Sequence, residues 1–142
     1  MTGAIPESPP VLSVAARISN VVVQLMSAYT GRGPTKSWTS MNHDLITVVL
    51  RDTLTKGERS LVSDGRQQLV LDMRKAYQYT MRTDLVTGVE QITGRKVIAF
   101  LSDNHIDPDI AIESFVLAPE TSDETEQTAK PPAGTNLGAP KT

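Results

Sequence analysis

The chain carries two imidazoles, His43 and His105, and no cysteine. Without thiols it cannot form disulfides, a thiolate nucleophile, a zinc ribbon or an iron–sulfur cluster. His105 lies in Asp103-Asn104-His105-Ile106-Asp107-Pro108-Asp109, an oxygen-rich run that could attract a divalent cation. As a calcium loop it lacks the glycine needed at the sixth position and has Ser114 where a bidentate glutamate belongs. The run therefore reads as a hairpin turn. His43-Asp44 also reads as a turn, because adjacent residues rarely set a base against its orienting carboxylate and no nucleophile elbow accompanies them. No metal, cofactor or catalytic set is expected, so the expected class is a non-enzyme.

Gly31-Arg32-Gly33-Pro34 invites comparison with a phosphate loop, but it follows a helical pattern and lacks the Lys-Ser/Thr that such a loop needs. It reads as a helix terminator. Arg66, Arg74 and Arg82 recur every eight residues with Lys75 beside the second, a spacing that predicts one broad exposed face. Asp72 and Asp84 make that face mixed in charge. Trp38 stands alone on a polar segment, at an interface or over a sheet edge. The candidate partner-binding residues are thus Gly31, Arg32, Gly33, Pro34, Trp38, Arg66, Arg74, Lys75 and Arg82.

The elements that must position these residues follow from periodicity. Ser8 before Pro9-Pro10 can cap a first helix, and Val14, Ile18, Val21, Val22, Leu25 and Tyr29 form its apolar face. A short polar strand with Lys36, Trp38 and Ser40 follows. Leu45–Leu50, apolar at both parities, predicts a central strand. Thr55 and Glu58 have the spacing of a capping box opening a short helix that ends near Asp64-Gly65. A long helix should run from Arg66 to about Ile92, burying Leu69, Met73, Ala76, Tyr77, Thr80, Met81, Leu85 and Val89, with Gly94 ending it. Strands at Lys96–Ser102 and Ile110–Leu117 complete the order α-β-β-α-α-β-β. The expected class is α+β: one four-stranded antiparallel sheet with helices on one face. The other face is partly apolar and would suit a second copy, making a homodimer.

A length of 142 residues fits one domain over 11–118, between a leader at 1–10 and a polar tail at 119–142. Aromatics are only 4% of the chain, so aliphatic side chains must build the core. Residues 1–10 lack the basic and apolar regions of a secretory signal, and no apolar run approaches a membrane span. A cytoplasmic location is expected. Residues 51–96 hold nine basic and six acidic side chains, a net of +3, which is short of a dedicated nucleic-acid footprint. The element order is similar to that of type II KH modules, whose G-x-x-G clamp is absent.

Over residues 11–118 the chain resembles the MpsC-like family. The matching features are the first helix ending in Gly31-Arg32-Gly33-Pro34 and a strand hairpin. They continue with Leu54-Thr55, Glu58, Leu61, Asp64-Gly65-Arg66, Ile92-Thr93-Gly94 and a strand reaching Ser102-Asp103. The resemblance implies a soluble accessory member of a sodium-translocating system that generates membrane potential, at the inner face of the membrane and partnered by an integral transporter. It brings no catalytic residue. The alternative is a small nucleic-acid-associated protein using the basic bias of residues 51–96.

Overall fold

A computed structural model describes residues 11–120. The order is α1 (Val14–Thr30), β1 (Lys36–Asn42), β2 (Leu45–Arg51), α2 (Lys56–Ser63), α3 (Gln67–Thr93), β3 (Val97–His105) and β4 (Ile110–Leu117). This is the expected α+β arrangement. Two hairpins join through β2 and β4 into an antiparallel sheet of order β1-β2-β4-β3. The strand Leu45–Arg51 is central, as its two apolar parities predict. The leader at 1–10 and the tail from 121 onward lie outside the described residues, as does Ser8.

Local chemistry sets the helix ends. Ser13, not Ser8, caps α1: its Oγ accepts from the Ala16 N–H at 3.1 Å. Gly31, at φ 79°, ends α1 in the left-handed region, and its N–H donates to the Ser27 carbonyl. Thr55 and Glu58 form the predicted capping box at the start of α2.

The core lies between the sheet and the helices. Ile46, Val48 and Leu50 of β2 and Ala111, Phe115 and Leu117 of β4 meet Ile18, Val22 and Met26 of α1 and Met81, Leu85 and Val89 of α3. The rings of Phe100 and Phe115 sit 5.0 Å apart in a tilted pair. Where α1 crosses α3, a Cβ on Gly88 would come within 2.7 Å of Val21 Cγ1, so the helices approach closely only because residue 88 is glycine.

Two expectations are corrected. The C-terminal half of α3 buries the predicted Met81, Leu85 and Val89, but its N-terminal half buries Val70 and Arg74, leaving Leu69 and Tyr77 exposed. An ion pair draws that half of the helix inward. Strand β3 also extends three residues further, to His105, because Asp103, Asn104 and His105 pair with Ile112, Ala111 and Ile110. Continuing the ladder satisfies backbone groups that a wide turn would leave to water.

Candidate functional site

The richest cluster of polar side chains surrounds the segment 52–55, which joins β2 to α2. Its backbone takes no regular form, and Asp52 has a positive φ of 58°. Such a segment needs partners for its N–H and C=O groups, and side chains from four other parts of the fold provide them.

Arg32 approaches from the end of α1. Its Nη1 donates to the carbonyls of Asp52 at 2.6 Å and Leu54 at 2.9 Å, and its Nη2 donates to Asp52 Oδ2 at 2.8 Å. Arg59 of α2 pairs with the other Asp52 oxygen. The Arg32 hydrogen bond chiefly holds the Asp52 carboxyl below its usual range, against desolvation and with help from the Arg32 and Arg59 charges. From the β3–β4 turn, Asp109 accepts from the Leu54 N–H at 2.9 Å and from Thr53 Oγ1 at 3.0 Å.

Arg74 completes the clamp. It is only 4% exposed, and its Nε and Nη2 donate to the two oxygens of Glu58 at 2.6 Å each. The same Nη2 reaches the Thr53 carbonyl at 2.7 Å, and Nη1 reaches Thr53 Oγ1 at 3.0 Å and Asn104 Oδ1 at 3.4 Å. Glu58 therefore caps α2 and anchors α3 with one carboxylate, since Oε1 also accepts from the Thr55 N–H at 2.9 Å. Burial pushes the Glu58 carboxyl up, but hydrogen bonds from Arg74 and Thr55 and the Arg74 charge outweigh it, leaving it below its usual range. This bidentate pair needs a planar guanidinium, which lysine would not provide.

A second carboxylate lies deeper. Glu113 of β4 is 1% exposed, on the helix side of the sheet opposite Ser102. Its Oε2 and the Ser102 hydroxyl have no hydrogen-bond partner among the described residues. Burial pushes its pKa up to about 7, against the opposing pull of Ser102 and of the Arg74 charge.

The expected exposed face of Arg66, Arg74 and Arg82 does not exist, because Arg74 points into the protein. Each step of eight residues turns a helix by about 80°, so three such positions spread over nearly half its circumference. Arg66 lies at the start of α3 and pairs with Asp64. Lys75 and Arg82 are exposed and form no ion pair among the described residues. Between them on the helix stands Tyr79, 80% exposed. Positions 75, 79 and 82 fall within about 60° of one another, so the three make one stripe. Asp72 accepts from Gln68, and Asp84 accepts from Tyr29 at 2.6 Å.

The other candidates divide. Gly31 and Gly33 form the joint after α1, with Gly33 close against Val23 and Ser27. Arg32 braces that joint to segment 52–55, while Pro34 is half-buried beside it. Trp38 lies on the sheet face away from the helices, 45% exposed, with the Arg51 guanidinium 5.6 Å from its ring centroid. His43 occupies the β1–β2 turn at φ 54°, and the Nδ1 of His105 hydrogen-bonds the Pro108 carbonyl at 2.8 Å. Among the described residues no three His, Asp or Glu side chains gather closely enough to hold a metal ion.

Sequence reasoning missed Asp52, Thr53, Asp109 and Glu113. The first three carry no signal in their own neighbourhood that names their partners: Arg32 lies 20 residues from Asp52, and Thr53 and Asp109 lie 56 residues apart. Glu113 carried one: it shares strand parity with Ala111, Phe115 and Leu117, a charged group on an apolar row.

The family model described as "Na+-translocating membrane potential-generating system (MpsC)" matches residues 12–119. The chain belongs to the MpsC family. The match spans both hairpins and all three helices, and takes in the clamp formed by Arg32, Asp52, Glu58, Arg74 and Asp109. No curated protein and no solved structure matches this MpsC chain. No helix among its described residues is long and apolar enough to cross a membrane.

Proposed function

We propose that the chain is a non-catalytic accessory module of a membrane-potential-generating system, acting through protein contacts at the cytoplasmic face of an integral membrane partner. The observation that carries this reading is the Lys75–Tyr79–Arg82 stripe on α3. It sets an exposed aromatic between two exposed cations that form no ion pair among the described residues, on a 27-residue helix. Aromatic and cationic side chains of this kind anchor protein interfaces. Arg32, Glu58, Arg74 and Asp109 are engaged in holding segment 52–55, which supports a structural use for them.

The test is affinity capture from detergent-solubilised membranes, with the full chain and with a Lys75→Glu, Tyr79→Ala, Arg82→Glu variant. The expected result is nuclease-insensitive recovery of an integral membrane protein by the parent chain and its loss in the variant, with circular dichroism unchanged. Equal recovery by both would remove the stripe from the contact. The same two exposed cations beside Tyr79 also favour a second reading, a nucleic-acid-associated protein. It predicts capture that disappears with nuclease and binding that weakens steeply with salt.

A further inference from the structure

The side of the sheet facing away from the helices is an apolar surface with an ordered charge pattern. Strand register places the residues in rows running from β1 to β3. One row is Trp38, Val49, Ile112 and Asp103, and the row beside it is Lys36, Arg51, Ile110 and His105. Trp38, Leu45, Leu101 and Ile112 stand on this side, and Ile98 turns outward beside the bulge in β3. These five side chains are 40% to 59% exposed. A sheet face of this composition marks a docking surface.

We propose that this face is the contact between two copies of the chain, related by a twofold axis parallel to the strands. The charge pattern selects that partner and that axis. Lys36 and Arg51 lie at the β1 side and Asp103 at the β3 side, in neighbouring rows. Rotation about an axis along the strands lays β1 of one copy over β3 of the other, and β2 over β4. Lys36 and Arg51 of each copy then lie one row from the Asp103 of the other, and the pairing occurs twice, as an isologous interface requires. A twofold axis across the strands would set β1 over β1 and forgo both pairings. Ile112 and Val49 fall at the centre, where two sheets packed about 10 Å apart interdigitate.

The area suffices for a reversible dimer. Four strands about 4.8 Å apart and about seven residues long make a face of roughly 450 Å², so two copies bury on the order of 900 Å², the size of a weak, reversible interface. The helices stay outside, leaving the Lys75–Tyr79–Arg82 stripe open, so this inference stands or falls separately from the proposed function.

Sedimentation equilibrium of the full chain tests it. The mass should rise with concentration from 15.4 kDa toward twice that value. Leu101→Lys with Ile112→Lys should hold the chain at monomer mass with an unchanged circular dichroism spectrum, since both positions are exposed. Asp103→Lys, and Lys36→Asp with Arg51→Asp, should each weaken self-association by about tenfold. Mixed together, those two charge variants should form a heterodimer tighter than either homodimer. A chain that stays at 15.4 kDa at every concentration overturns the proposal, whether another protein or the segment 121–142 covers the face. So does a dimer that survives the double lysine variant, or a mixture that gains nothing.

Discussion

Each side of strand β4 carries one residue of the kind usually found on the other. Toward the helices, Glu113 sits between Ala111 and Phe115 and is almost fully enclosed; away from them, Ile112 meets solvent across the strand from Asp103. A few residues elsewhere repeat the exception within an otherwise apolar core. Arg74, Glu58 and Thr53 are inside, while Trp38, Leu101 and Ile98 are outside. A buried charge is costly unless paired and hydrogen-bonded, and Arg74 is both. Its role is to hold an irregular segment whose backbone groups would otherwise be unmet. An exposed apolar sheet face has no such internal justification, which is the ground for proposing it as a contact surface.

The largest expected effect breaks the interior side of this contrast. Arg74→Ala leaves Glu58 uncompensated in the interior and should cost about 3–5 kcal/mol in urea unfolding. Adding Glu58→Gln should recover part of that loss, because the orphaned charge is then gone. A cost no larger than that of an exposed ion pair would show that water reaches the clamp.

Next in size is the pH dependence of Glu113. Its folded pKa, about 7, lies above the ordinary 4.5, so between those values the folded chain holds a proton that the unfolded chain has released. Stability should therefore fall as pH rises through that window, by about 3 kcal/mol in all. Glu113→Gln should be flat across the window and more stable than the parent at pH values above it, measured by urea midpoints. A parent chain whose stability holds steady between those pH values would argue that Glu113 ionises with a partner. Asp52 and Glu58 act in the opposite sense, since their lowered values make stability decline only in acid.

The smallest effect sharpens the outer side. Leu101→Ser, at a site 59% exposed, should change the stability of the monomer by less than about 0.5 kcal/mol. A larger loss at monomer concentrations would mean that the face contributes to the fold of a single copy.

Much of the fold was legible because it rests on local chemistry. The Thr55–Glu58 spacing announces a helix start, and Gly31 and Gly94 end helices by taking positive φ. Leu45–Leu50 reads as a central strand from its two apolar parities. The candidate site was legible only in part. Glu58 was visible as a cap but not as the anchor of Arg74, and Arg32 as part of a turn but not as a brace on segment 52–55. Arg74 was placed on the surface because helical spacing carries no information about a partner sixteen residues away.

The sequence by itself determined the order of elements, most of their boundaries and the alternation along each strand, since these depend on residues a few positions apart. Strand parity groups Glu113 with Ala111, Phe115 and Leu117, but only the tertiary structure decided that the helices cover that side of the sheet rather than the side of Ile112. It also decided how the first half of α3 turns, because the Arg74–Glu58 pair forms only once α2, α3 and the 52–55 segment meet. Burial and ion pairing are properties of that meeting, and no local pattern specifies them.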